Sequence, residues 1–243
     1  MHVRTRGDGP RHFFAIHGWG GGCETFAPLE PHFPDDVTFH SVDLPGYGAS
    51  PALRRWRFEE LEAALVECVD QNDADALTLV GNCSGAAFGL LAARARPQRF
   101  ARLVLVDPFA YFPWYFRLLV TGGAGRLFYD TAFANPVGRW VTNRQLKEHR
   151  TDGSDLTASF AQLDHDVVYA YLKMLQQLPG HRAFEELRMP ITVAHGAHTF
   201  DAVERSVGIW LAMWPQAHAT EIAGAGHLPI QEAPEALAAA IFG

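Results

Sequence analysis

Cysteine is scarce in this chain. Cys23, Cys68 and Cys83 are the three in 243 residues, too few and too scattered for a disulfide framework or a zinc site. Lysine is scarcer still: Lys147 and Lys173 are the only two, and nearly all positive charge is arginine. No basic run exists that could neutralise a row of phosphates, and the formal net charge is −7. Nucleic acid is therefore not an expected partner. No run of about 18 apolar residues occurs, so no membrane span is expected. The first residues, MHVRTRGDGP, hold no apolar signal core. A cytoplasmic, reducing location is the resulting expectation. Internal repeats and low-complexity tracts are also lacking. The G-x-G-x-x-G fingerprint of dinucleotide-binding folds is missing from the Gly-rich stretch GNCSGAAFG.

What is present is alternation. Apolar residues make up 48 % and charged residues 19 %, the balance of a globular enzyme able to bury a core. HVRTR and RHFFAIH flank GDGP and read as a hairpin or strand pair. VTFHSVD (37–43) reads as a strand. FEELEAALVECVD (58–70) has helical apolar spacing, with Cys68 as a core residue. ALTLVGN (76–82), RLVLVD (102–107), ITVAHG (191–196) and HATEIAGA (218–225) read as further strands, the first nearly continuous in apolar character, as for a strand covered on both faces. SGAAFGLLAARAR (84–96) and PEALAAAIF read as helices, the latter with Pro at its start. Strands alternating with helices predict an α/β fold with a mostly parallel, doubly wound sheet. The interval from Pro108 to Met189 breaks the rhythm. It reads as a helical insertion over the C-terminal ends of the strands, where such sheets place ligands.

LVGNCSGAAFG (79–89) puts a Cys and a Ser side by side between strand and helix. Gly-x-nucleophile-x-Gly between a strand and a helix is a nucleophile elbow. With Cys83 at the centre, Gly81 and Gly85 fall two before and two after. With Ser84 there, Asn82 and Ala86 take those places. The register selects Cys83 and leaves Ser84 to offer its backbone N–H. A helix starting there favours a thiolate and an oxyanion. HGWGGG (17–22) follows an early strand and can aim the N–H of Trp19 into the same oxyanion hole. GAGHLPIQEAPEAL (224–237) supplies His227 after the last strand, placed as general base.

HGWGGG, VDLPGYGAS (42–50), LVGNCSGA and GAGHLPIQEAPE, in that order over nearly the whole chain, resemble the α/β-hydrolase superfamily. The resemblance implies an α/β-hydrolase core in 1–108 and 190–243, with a helical cap in 109–189 inserted after the family's sixth strand. Two departures stand out. Most members carry Ser at the elbow; dienelactone hydrolases and polyester synthases resemble this chain in carrying Cys. A cysteine put in place of serine to trap an intermediate would read the same. The family also places an Asp three residues after the Gly that ends its seventh strand. Counted from Gly196, Thr199 fills that slot. Asp201, two residues on, is the expected acid, and Asp107, at the end of RLVLVD, is the alternative.

PFAYFPWYF (108–116) holds six aromatics in nine residues, and Leu127, Phe128, Tyr129, Phe133 and Trp140 continue the trend. Phe109, Phe112, Trp114 and Phe116 are expected to roof an apolar acyl pocket, with Asn82 and His198 beside the nucleophile. TGGAGR (121–126) reads as a flexible connection. Arg117 and Arg126 are the only nearby groups for a carrier phosphate. Cys23 could approach Cys83. The expected function is cleavage of an ester, lactone or thioester of a small hydrophobic acyl substrate through an acyl-Cys83 intermediate. The alternatives are an acyltransferase or cyclase, and a non-catalytic ligand-binding member of the fold. No metal or organic cofactor is implied.

Overall fold

Successive residues of a strand face opposite sides of its sheet, and the central strands here are apolar on both. Phe14 and Ile16 join one buried cluster, Phe13 and Ala15 another. Leu103 and Leu105 divide from Val104 and Val106 in the same way. A sheet with two apolar faces must be covered twice, and that requirement fixes the architecture.

The computed structural model describes residues 1–243. Its strands are β1 (Val3–Arg6), β2 (Arg11–Ile16), β3 (Val37–Val42), β4 (Leu77–Asn82), β5 (Phe100–Val106), β6 (Ile191–Gly196) and β7 (Ala217–Ile222). They form one sheet in the order β1-β3-β2-β4-β5-β6-β7. β1 is antiparallel to β3, and the other five pairings are parallel. The hairpin expected around GDGP does not form. β3 lies between β1 and β2, and Val3 pairs with Val42. The polar segment VRTR suits an edge, whereas β2 needs apolar neighbours on both sides.

Helices α1 (Phe58–Asp70) and α2 (Ser84–Ala95) cover one face. The 3₁₀ turns of Cys23–His32 cover the other with the final helix. α1 buries Leu61, Leu65, Cys68 and Val69, an i, i+4, i+7, i+8 stripe. Each such side chain contributes about 1.5–3 kcal/mol by leaving water. Between β5 and β6 the chain forms no strand. It builds α3 (Trp114–Val120), α4 (Gly122–Tyr129), α5 (Pro136–Gln145) and α6 (His165–Gln177). TGGAGR is not the flexible connection expected, because α4 starts inside it. Gly125 is buried against the carbonyl of Leu119, so the small residue serves close packing of α3 on α4. After β6 come α7 (Asp201–Met213), then β7, the single turn α8 (Pro229–Glu232) and α9 (Pro234–Phe242). No helix is long and apolar enough to cross a membrane.

Candidate active site

β4 ends at Asn82, and α2 begins at Ser84. One residue must reverse the chain. Cys83 does so with φ 52° and ψ −118°, a region costing of the order of 1–3 kcal/mol for a residue with a Cβ. The turn is held by Cys83 N–H donating to Val106 O at 2.7 Å and Ala86 N–H donating to Cys83 O at 3.1 Å. A Cβ on Gly81 would run into Ala86, and one on Gly85 into the carbonyl of Ile16. The two glycines that set the sequence register are thus required by contact. Ser84 is buried, and its hydroxyl has no hydrogen-bond partner.

The HGWGGG loop lies directly against this turn. A Cβ on Gly18 would sit 3.1 Å from Cys83 Cβ. His17 fixes the loop. It is fully buried, and burial lowers its pKa to about 4, so the ring is neutral. Its Nδ1–H donates to Gly18 O at 2.8 Å, and its Nε2 accepts from Leu44 N–H at 3.1 Å. The Trp19 indole N–H donates to Val168 O at 2.8 Å. Its ring packs edge-on against Phe116, Phe133 and Phe160. VDLPGYGAS is scaffolding for the same corner. Asp43 accepts the N–H groups of Cys23 at 2.7 Å and Ala49 at 3.1 Å. Cys23 does not partner Cys83. Its thiol is hydrogen-bonded to Asp43, and burial together with that carboxylate raises its pKa to about 11.

His227 is the histidine brought to the thiol. Its pKa is raised to about 10: burial pulls it down, but Cys83 and then Asp107 outweigh burial. The carboxylate is where the expectation fails. Asp201 opens α7 on the surface, its side chain 78 % exposed and loosely paired with Arg205 at 3.8 Å. A carboxylate in the first turn of a helix is well placed there. Asp107 is fully buried and lies 2.9 Å from His227 Nδ1. It too adopts a positive φ, 48°. Its Oδ1 accepts Gly196 N–H at 3.0 Å, and its Oδ2 accepts the Thr199 hydroxyl at 2.9 Å. Thr199 Oγ1 is also 3.1 Å from His227 Nδ1. In the sequence Thr199 merely fills the slot where the family places its acid, and nothing local announces its contact with Asp107.

The loop that carries His227 is tied to the inserted segment. His227 N–H donates to His149 O at 2.7 Å. Glu232 accepts Gly226 N–H at 2.6 Å with one oxygen and Thr151 N–H at 2.7 Å with the other. Ser154 Oγ also donates to Glu232. Phe200 lies between His149 and His227, tilted against both rings, with centroids 4.5 and 4.6 Å away. Glu232 stands in the QEAPE run, but its sequence context announces no role, because two of its three partners, Thr151 and Ser154, are about 80 residues distant.

A cavity of about 290 Å³ opens from Cys83. Trp19, Phe109, Phe112 and Phe116 line it, with Leu172 and Trp210. Trp114 does not. It is 71 % exposed, because two positions on a helix point away from each other and Phe116 is the one turned inward. Leu127, Phe128 and Trp140 are also exposed, whereas Tyr129 is fully buried. Asn82 is absent from the cavity wall, and His198 is exposed. Asn82 ends a strand and faces the Gly18 backbone instead.

A mostly parallel sheet covered on both faces, with a strained thiol turn after β4 and a histidine after β7, defines an α/β-hydrolase type of protein. The chain belongs to the alpha/beta hydrolase family, whose model matches residues 13–240. It is 29 % identical to a pimeloyl-[acyl-carrier protein] methyl ester esterase of Aromatoleum aromaticum, covering 90 % of this chain and 92 % of the relative. It is 26 % identical to the protein of the same name from Salmonella agona, covering 98 % and 95 %. Among solved structures, a bromoperoxidase from Bacillus anthracis superposes with TM-score 0.79 at 15 % identity over 99 % of this chain and 93 % of that one. MenH from S. aureus does so with TM-score 0.76 at 15 % identity, over 100 % and 97 %.

Proposed function

We propose that this protein cleaves the ester or thioester of a small hydrophobic acyl group through an acyl-thioester on Cys83. The observation that carries the reading is a strained thiol at the strand–helix turn together with a histidine whose Nδ1 lies 2.9 Å from the buried Asp107 and whose pKa the thiol and that carboxylate raise. In the first half-reaction the thiol proton passes to His227, and sulfur bonds to the substrate carbonyl carbon. The oxygen that gains charge is received by the N–H groups of Trp19 and Ser84. The adduct collapses, the bond to the leaving alcohol or thiol breaks, and that group takes the proton from His227. In the second half-reaction His227 takes a proton from water, which attacks the thioester. The C–S bond breaks, and the thiol recovers its proton as the acid leaves.

The 109–189 segment acts as the cap in this reading, with α3 and α6 walling the acyl pocket. None of the 20 residues lining the cavity is Asp or Glu, whereas Arg117, Gln176 and His181 all line it. The Trp210 ring closes the wall behind them, with its indole N–H buried. Such a pocket favours an acyl chain that ends in a hydrogen-bond acceptor. The names of the relatives bring a carrier-linked methyl ester within this class. Arg126 is held by Asp130 and Asp166 at 2.8 and 2.7 Å, which leaves Arg117 as the cation beside the pocket for a carrier phosphate.

A thioester intermediate also suits transfer to an alcohol or amine, and acyl transfer is the second reading. Against a non-catalytic, ligand-binding role stands the buried Asp107 at 2.9 Å from His227 Nδ1, in reach to orient the ring although Thr199 fills the family's acid slot. The test is intact-protein mass after brief exposure to activated acyl esters and thioesters. An adduct lost in Cys83→Ala, kept in Ser84→Ala and slowed in His227→Ala is the expected result. An adduct lost only in Ser84→Ala, or none with any donor, refutes the proposal. Products formed with and without an alcohol acceptor separate hydrolysis from transfer.

A further inference from the structure

Three polar atoms meet at the back of His227. Asp107 Oδ2 is 2.9 Å from Nδ1, Thr199 Oγ1 is 3.1 Å from Nδ1, and Thr199 Oγ1 is 2.9 Å from Asp107 Oδ2. A hydroxyl has one proton and two lone pairs, and an ionised carboxylate only accepts. The Thr199 proton therefore goes to Asp107. Its oxygen then faces His227 with a lone pair, so Nδ1 must carry the hydrogen, shared between Oδ2 and Oγ1. The opposite assignment, with Thr199 donating to a bare Nδ1, would leave that nitrogen's lone pair facing a carboxylate. Thr199 is itself fixed. It is 3 % exposed, its N–H donates to Gly196 O at 3.3 Å, and its carbonyl lies 3.1 Å from His149 Nδ1. Gly196 in turn donates to the other Asp107 oxygen at 3.0 Å. One short turn after β6 thus holds both oxygens of the carboxylate and one side of the imidazole.

We infer that Thr199 is a positioning residue of this site: its hydroxyl orients Asp107 and His227 together and holds the histidine in the tautomer that leaves Nε2 for the thiol. The inference rests on the proposed esterase reading for its kinetic consequences, but not for its geometry. It has a second consequence. A side-chain oxygen at position 199 already lies within hydrogen-bond reach of Nδ1. A carboxylate placed there can take over from one removed at position 107.

Four variants test this: Thr199→Val, which keeps the shape and removes the hydroxyl, Thr199→Ser, Asp107→Asn, and Asp107→Asn with Thr199→Asp. Each is assayed for kcat and KM on the ester that acylates fastest. Each is also examined by NMR of the His227 Nδ1 proton and its titration. Thr199→Val should lower kcat about 10- to 100-fold with KM changed less than about 2-fold, and Thr199→Ser should restore it. Asp107→Asn should cost about 10³-fold or more, and the added Thr199→Asp should recover at least about 10-fold of that loss. The inference is overturned if Thr199→Ser falls as far as Thr199→Val, if Thr199→Val keeps full kcat, or if the double variant is no better than Asp107→Asn. Should the unmutated protein turn over no ester, the esterase reading fails alone. The NMR then decides, because an Nδ1 proton and titration unmoved by Thr199→Val overturns the positioning role.

Discussion

Replacing Cys83 by serine isolates the electrostatic coupling at the centre of the site. His227 rises from 6.5 to about 10 although burial works against its charge. Cys83 is the larger upward cause and Asp107 the next. A serine hydroxyl does not ionise in this range, so its attraction vanishes while burial persists. Asp107 alone then opposes burial. We expect the His227 midpoint to fall by about 1–3 units, the usual effect of removing one adjacent opposite charge. The direction follows from linkage: a group raised by a partner keeps its proton below the raised value, and losing the partner moves deprotonation to lower pH. The assay is NMR of ring-labelled histidine from pH 5 to 11, on unmutated protein and on Cys83→Ser. His17, held near 4 by burial, serves as the internal reference that must not move. A His227 titration unchanged in Cys83→Ser would refute the coupling between thiol and imidazole on which the proton transfer of the proposed mechanism depends.

Other substitutions discriminate among the remaining assignments. Asp201→Asn should leave kcat within about 2-fold, because its side chain is 78 % exposed and bonded only to Arg205; a loss matching Asp107→Asn would reinstate Asp201 as the acid. Glu232→Gln keeps the size but weakens acceptors for Gly226, Thr151 and Ser154. It should lower stability by about 1–3 kcal/mol and lower kcat, read by urea unfolding beside kinetics. Gln176→Leu should raise KM about 10-fold for esters whose acyl chain ends in an acceptor and leave simple alkanoyl esters unaffected; equal effects on both would remove Gln176 from substrate recognition.

How far the sequence could be read depended on whether the signal was local. Gly81, Cys83 and Gly85 declare themselves by spacing, because the contact that demands them lies within five residues or against the adjacent strand. His227 was legible because a Gly-flanked loop follows a strand and precedes a helix. The acid was not legible by distance along the chain. Asp201 and Asp107 both follow strands, and the direction of the turn after β6 turns one outward and brings Thr199 inward. Strand pairing failed at GDGP for a related reason. The partner of β1 is chosen by an apolar strand some 35 residues away, which no local pattern announces. Trp114 and Phe116 show the limit for the pocket: both are aromatic and share a helix, and only the packing of α3 says which one faces the cavity.

The two residues other than glycine with positive φ directly follow neighbouring strands. Asn82 is paired with Val106, so Cys83 and Asp107 are the next residues along two parallel ladders, one donating to Val106 O and the other to Ala194 O. The distance between the proposed nucleophile Cys83 and Asp107 is therefore measured by the hydrogen-bond register of β4 against β5, not by the length of any loop. Loops can be lengthened freely on this scaffold without disturbing that distance. A one-residue slip between these two strands would reverse which way each side chain points and displace the acid by a full rung. The part of the molecule least tolerant of insertion is thus the middle of the sheet, far in sequence from the histidine that both residues serve.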